Sequence, residues 1–166
     1  MEIRKTTLDD LDEVMTIYKK ARQFMRAHDN PDQWSGGWPA REQIEKDIAQ
    51  GTSYVCTNSG KIAGVMCFLI GNDPTYAVIE NGGWLSDDTY AVVHRIASSG
   101  EFKGTGTFMM EWAFSKYPNV RIDTHEDNYV MQNMLKKLGY TYCGVIHLVN
   151  GDPRLAYQKA GMQNKI

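Results

Sequence analysis

Between His94 and Trp112 the hydrophobic pattern changes period within one short turn. The residues HRIAS continue the apolar, β-branched run TYAVV, whereas TFMMEWAFSKY repeats its apolar residues every three or four positions. The first pattern suits a strand and the second an amphipathic helix. Only the short stretch SGEFK and the triplet Gly104-Thr105-Gly106 lie between them. A strand that passes so abruptly into a helix points to a layered α/β architecture, with the helix packed back on a sheet.

The rest of the chain extends that reading. EIRKTT is a short opening strand, and Thr7 caps a helix whose apolar residues Leu8, Leu11, Val14, Met15, Tyr18, Ala21 and Met25 recur every three or four positions. HDNPDQWSGGWP, residues 28–39, is a loop of turn formers carrying two tryptophans; AREQIEKDIAQ is a second helix, stopped by Gly51. TSYVCTNSGKIAGVMCFLI reads as a hairpin around Asn58-Ser59-Gly60, and TYAVIENGGWL and TYAVVHRIAS as two further extended stretches. After the helix GTGTFMMEWAFSKY, residues 104–117, come a strand NVRIDTH, a helix opened by Asp127 or Asn128 and closed by Gly139, and a hairpin of YTYCGVIHLV and RLAYQK. The order β-α-α-β-β-β-β-α-β-α-β-β predicts an α/β (mixed α+β) domain with a mostly antiparallel central sheet flanked by helices. With no repeat and no long linker, residues 1–166 fit one domain.

Charge and cysteine usage narrow the partners. A net charge of −2 argues against nucleic acid, whose phosphates require a cationic face. No apolar run approaches the roughly 20 residues that span a bilayer, and MEIRKTTLDDLDEV lacks the character of a signal peptide. Cys56, Cys67 and Cys143 are odd in number, widely spaced and set among apolar neighbours, so they read as reduced core residues without metal spacing. The expectation is a cytoplasmic protein that binds no metal.

A strand running into Gly-Thr-Gly and a helix bares backbone N–H groups at the positive end of a helix dipole, a setting suited to phosphate. Two familiar phosphate loops do not fit. A Walker A loop places Lys before Ser/Thr at the helix start, but Thr107 follows Gly106 directly; a dinucleotide fingerprint needs a third glycine where Met109 stands. A turn that uses glycine for geometry alone would look the same.

Two motifs in order resemble the GNAT superfamily of N-acetyltransferases. In that pattern a strand leads into R/Q-x-x-G-x-G/A opening a helix, and after one more strand comes N-x-x-A-x-x-L-Y-x-K-x-G-F. Gly104 and Gly106 supply the glycines, with Glu101 in the Arg/Gln position; Asn128, Met131, Met134, Lys137, Gly139 and Tyr140 follow the second motif, with Leu135 where a tyrosine is usual. The opening β-α-α-β-β is similar too, so the resemblance covers nearly the whole chain.

The resemblance implies a GNAT-like fold and acetyl-CoA as acyl donor. The diphosphate of CoA would rest on the amides of Lys103, Gly104, Thr105, Gly106 and Thr107. His94, Ile96 and Ser98 would pair with the pantetheine arm across a gap where the next strand diverges. Asn128 would bond the same arm, although an N-cap is the commonest use of Asn at a helix start, and Lys137 matches a cofactor-side position. The reaction implied is direct attack of a primary amine on the thioester, which is helped by a base because an alkyl ammonium has a pKa of ~10.4. Glu80, ending YAVIE, and His94 are the candidate bases, beside the readings of a solvated strand end and of a hydrogen-bonded core histidine. Leu135 cannot donate a proton to the departing thiolate; Tyr140 or Tyr142 are substitutes, or core residues.

The first two helices and their loop form much of the acceptor pocket in this family. That makes Trp34 and Trp38 aromatic walls or loop anchors, and Asp32 an ammonium partner; Glu80 and His125 complete the expected acceptor side. Trp84 and Trp112 read as packing residues. The leading expectation is an acetyl-CoA-dependent N-acetyltransferase acting on an amine of a small molecule or peptide. The alternatives are a catalytically weak CoA-binding regulatory domain and a phosphate-binding module of another fold. A homodimer is a habit of the family rather than something these residues determine.

Overall fold

The computed structural model describes residues 1–161. Its strands are β1 (Glu2–Lys5), β2 (Ser53–Asn58), β3 (Lys61–Ile70), β4 (Ala91–Ser98), β5 (Asn119–Thr124), β6 (Thr141–His147) and β7 (Pro153–Ala160), and its helices α1 (Leu11–Ala27), α2 (Arg41–Ala49), α3 (Thr105–Lys116) and α4 (Tyr129–Lys137). The strands form one sheet in the order β1-β2-β3-β4-β5-β7-β6, and β4 with β5 is its parallel pair. The mixed, mostly antiparallel sheet expected from the sequence is what forms.

Local chemistry explains most element ends. The Asp10 carboxylate accepts from the Thr7 amide at 2.8 Å and pairs with Arg4 at 2.7 Å, which sets a single helical turn, Leu8–Asp10, before α1. Ser59 and Gly60 both take positive φ, 52° and 80°, so the β2–β3 hairpin closes on the tight turn its sequence favours. Gly51 and Gly139, at φ 71° and 85°, end α2 and α4.

Helices cover both faces. α3 and α4 bury Met109, Met110, Ala113 and Leu135 against Val93, Val120, Ile122 and Tyr157 of the sheet. α1 and α2 bury Leu11, Val14, Ile17, Tyr18 and Ile44 against Val55, Ile62 and Val65. Gly64 on β3 lets α3 approach, since a Cβ there would lie 2.7 Å from Met109 Cε and 2.9 Å from Thr105 Cγ2.

One expected strand is absent. TYAVIENGGWL begins inside a single helical turn, Pro74–Tyr76, and then makes one isolated bridge, Glu80 with Val145. Asp73 accepts from the Thr75 amide and hydroxyl and starts the turn, and Asn81 at φ 58° ends any extended run. The apolar residues that suggested a strand do not share one buried face: Tyr76 is in the core while Val78 is 70% exposed.

Candidate active site

β4 and β5 pair only at Ala91–Val120 and Val92–Arg121 and then separate. The gap opens into a cavity of about 670 Å³, within the range of small-molecule sites. Its walls are Val93 to Ile96 of β4, Ile122 and Asp123 of β5, Asn128 and Met131 of α4, Arg154 of β7, and Trp34 and Trp38 of the α1–α2 loop.

A bulge shapes the β4 wall. Against β3, His94 pairs with Cys67 and Ala97 with Val65, so two β4 residues stand opposite Met66 alone. Arg95 takes φ 50°, a left-handed conformation that costs a non-glycine residue about 1–3 kcal/mol. Two partners hold it there: Tyr18 donates its hydroxyl to the Arg95 carbonyl at 2.7 Å, and buried Asp47 accepts from Arg95 Nε and Nη2, both at 2.9 Å.

The glycine turn lies at the start of α3. Gly104 is its N-cap at φ 78°, with no side-chain cap, and the first bond back is from the Phe108 amide to the Gly104 carbonyl at 2.9 Å. Among the described residues no protein acceptor takes the amides of Thr105, Gly106 or Thr107. Those hydrogens, at the positive end of a helix dipole, suit the diphosphate of CoA. Gly106 has a second reason to be small, since a Cβ would lie 3.2 Å from Met134 Sδ of α4.

Two hydrogen-bonded pairs stand at the cavity, with His94, Asp73 and Asp123 in its lining and Tyr76 buried outside it. His94 Nε2 is 2.8 Å from Asp73 Oδ2, and Tyr76 donates its hydroxyl to Asp123 Oδ2 at 2.7 Å; the Tyr76 and His94 rings lie 6.3 Å apart. The two carboxyls are driven in opposite directions. Burial would raise Asp73, but hydrogen bonds from His94 and from the Thr75 hydroxyl and amide outweigh it and bring it down to about 2. Burial raises Asp123 above its ordinary value, against the bond from Tyr76 and the neighbouring His94 and Arg154 side chains.

The residues expected from the sequence divide accordingly. His94, Ile96, Asp32, Trp34, Trp38 and Asn128 line the cavity. Trp34 also stacks edge-on against Tyr18 at 5.7 Å, so it both anchors its loop and forms a wall. Asn128 caps α4, accepting from the Met131 amide at 3.0 Å, and donates to Gln33 Oε1 at 2.8 Å. Ser98 is exposed at the far end of β4, opposite Gly64, and Lys103 is exposed beside the glycine turn.

Three placements differ from expectation. Glu80 is exposed at its bridge to Val145 and outside the cavity, because the strand meant to carry it does not form. His125 also lies outside the lining: its Nδ1 accepts from the Asp127 amide at 3.0 Å, a turn contact before α4. Lys137 is exposed in the last turn of α4, where a cation suits the helix dipole. The tyrosine substitutes are elsewhere as well. Tyr140 is buried in the α3–α4 core, its hydroxyl without a hydrogen-bond partner among the described residues, and Tyr142 packs on Tyr157.

Sequence reading missed Asp73, Tyr76, Asp123, Gln33 and Arg154. Two of them are charged residues within strand sequences, Asp123 in NVRIDT and Arg154 in RLAYQK, where local pattern alone does not distinguish a cavity wall from a solvated face. Among the described residues no group of three or more His, Cys, Asp or Glu could hold a metal, all three cysteines are free and buried, and no helix is long and apolar enough to cross a membrane.

Solved structures share this fold. A GNAT-family acetyltransferase from Streptococcus agalactiae is 36% identical, covers 98% of this chain and 96% of its own, and superposes with a TM-score of 0.88. A GNAT-family acetyltransferase from Listeria monocytogenes, 23% identical over 95% of this chain and 93% of its own, shares the fold with a TM-score of 0.69. No protein-family model and no curated protein matches the chain.

Proposed function

Because the chain belongs to the GNAT family of acetyltransferases, we propose that it moves an acetyl group from acetyl-CoA to a primary amine by direct attack in a ternary complex. The observation that carries this reading is the parting of β4 and β5 after Val92, with uncapped α3 amides beyond it and the His94–Asp73 pair in the cavity. The donor supplies an activated thioester carbonyl. The amides of Thr105 to Thr107 bind its diphosphate, and the unpaired edge of β4 from Val93 onward offers main-chain partners to the pantetheine arm.

His94 takes one proton from the acceptor ammonium, with Asp73 holding the ring. The N–C bond forms as the C–S bond breaks, and the second amine proton leaves with the thiol. Nothing at Leu135 donates to sulfur, since that side chain is fully buried in the core. A thiol of pKa about 8.5 leaves as thiolate without such help, at a lower rate.

The buried Leu135 also favours a second reading, a CoA-binding domain with little turnover. Two measurements separate the readings. Acetyl-CoA raises the melting temperature under both, and thiol release with a panel of amines occurs only under the first. An absent thermal shift would remove both.

A further inference from the structure

Arg154 sits in the cavity wall without a counter-ion. It is 6% exposed, and two of the five N–H bonds a guanidinium carries go to main-chain carbonyls, of Pro153 at 2.9 Å and Gln33 at 3.2 Å. Among the described residues no carboxylate forms an ion pair with it, whereas Arg95 in the same wall has Asp47, and Arg4 and Arg41 have Asp10 and Asp12. Burial works against the Arg154 charge, with Asp123 and Asp152 only partly offsetting it. A buried cation is costly unless an anion matches it.

Sheet register puts a carboxylate within reach of that cation but does not join them. Asp123 stands opposite Ala156, and Arg154 is two residues before Ala156, so Asp123 and Arg154 are diagonal neighbours on one face of the β5–β7 pair. Such positions lie about 7–8 Å apart. Asp123 instead takes the Tyr76 hydroxyl, and His94 lines the same cavity. A cation and a carboxylate held apart on one cavity wall match the two charges of a zwitterion.

Resting on the acetyl-transfer reading, we propose that the acceptor is an amino-carboxylate, in its simplest form an α-amino acid, whose carboxylate binds Arg154 while its amino group lies between Asp123 and His94. The guanidinium gives a planar, charge-assisted pair with the carboxylate. The amino group gives one proton to His94 and one to the departing thiol, the N–C bond replaces the C–S bond, and the carboxylate is unchanged. The product is an N-acetyl amino acid. Trp34 and Trp38 then border the space for its side chain.

The test uses the intact protein with acetyl-CoA and the common α-amino acids, each beside its carboxamide and its decarboxylated amine. Thiol release gives kcat/KM, and thermal shift reports binding. At least one amino acid is expected to exceed both of its derivatives by at least about 100-fold, below the roughly 10⁴-fold penalty that a site with a fully unmatched polar group can impose. Arg154→Gln is expected to raise KM for that amino acid at least about tenfold while acetyl-CoA still raises the melting temperature, which shows that the fold survives. Equal rates for an amino acid and its decarboxylated amine would overturn the inference. So would a panel in which acetyl-CoA binds but no amino acid releases thiol or shifts the melting temperature. A wild-type protein that ignores acetyl-CoA overturns the acetyl-transfer reading itself, and is told apart by that first measurement.

Discussion

His94 and Asp73 are joined by a 2.8 Å bond between Nε2 and Oδ2, tying the β4 strand to the turn that leaves β3. A carboxyl lowered to about 2 is ionised at neutral pH and can only accept, so Nε2 carries the hydrogen and the lone pair of the neutral ring is on Nδ1. Asp73 is itself fixed by the Thr75 amide and hydroxyl, at 2.8 and 2.7 Å. The arrangement selects one tautomer of a base.

His94→Ala is therefore expected to lower turnover by about 100-fold, the low end of general-base effects. Asp73→Asn, whose carboxamide can accept or donate, is expected to lower it by about tenfold. Steady-state thiol release checks both, with acetyl-CoA thermal shifts as the control for folding. A His94→Ala enzyme within twofold of wild type would remove the histidine from the chemistry.

Asp73 and Asp123 affect acid stability in opposite senses. Asp73 is held below its ordinary value of 3.8, so its stabilisation is present above about pH 4 and lost as pH falls toward about 2. Asp123 is raised, so its favourable contribution is complete below the ordinary carboxyl range and declines as pH rises through its folded value. Asp123→Asn keeps an acceptor for Tyr76 and removes the buried charge. Its melting temperature is expected to exceed wild type by a few degrees at pH 7, with the gap closing near pH 3. A variant less stable than wild type at pH 7 would show that ionised Asp123 is not a burden.

What could be read in advance follows the range of the interactions. Strands, helices and the glycine turn depend on local periodicity and caps: Thr7, Gly51, Asn128 and Gly139 stand where their local chemistry requires. The cavity chemistry depends on contacts far apart in the chain. Tyr76 and Asp123 are 47 residues apart, and Arg154 reaches a Gln33 carbonyl 121 residues away. Glu80 lies outside the cavity because an apolar run such as YAVI suits a turn packed by one tyrosine as well as a strand. The β4 bulge at Arg95 had no local signal, since arginine is not a residue that favours positive φ.

That bulge supports another prediction. Arg95 and Asp47 are both largely buried, so Asp47→Ala leaves a guanidinium without its partner, a loss of about 3–5 kcal/mol. Urea unfolding is expected to show a clearly lower midpoint with an unchanged slope. Replacing both residues by apolar ones, Asp47→Leu with Arg95→Met, is expected to recover much of the stability. Turnover stays low in the double variant, because the bulge beside His94 is no longer held. A double variant as unstable as Asp47→Ala would mean that the loss comes from packing rather than from the stranded charge.

The glycine turn offers the most direct check on donor binding. Gly104 sits at φ 78°, and a Cβ there would meet nothing within 4 Å, so conformation and charge, not crowding, decide what a substitution does. A left-handed conformation costs most residues about 1–2 kcal/mol, and asparagine adopts it more readily. Gly104→Asn is expected to keep the fold and most of the acetyl-CoA thermal shift. Gly104→Glu adds a carboxylate beside amides that attract an anion, and Glu101 and Lys103 already stand at this turn with opposite charges. Its thermal shift with acetyl-CoA is expected to vanish while its own melting temperature falls only by a few degrees. An undiminished shift in Gly104→Glu would mean that the diphosphate lies away from the start of α3, and that the uncapped amides of Thr105 to Thr107 face only water.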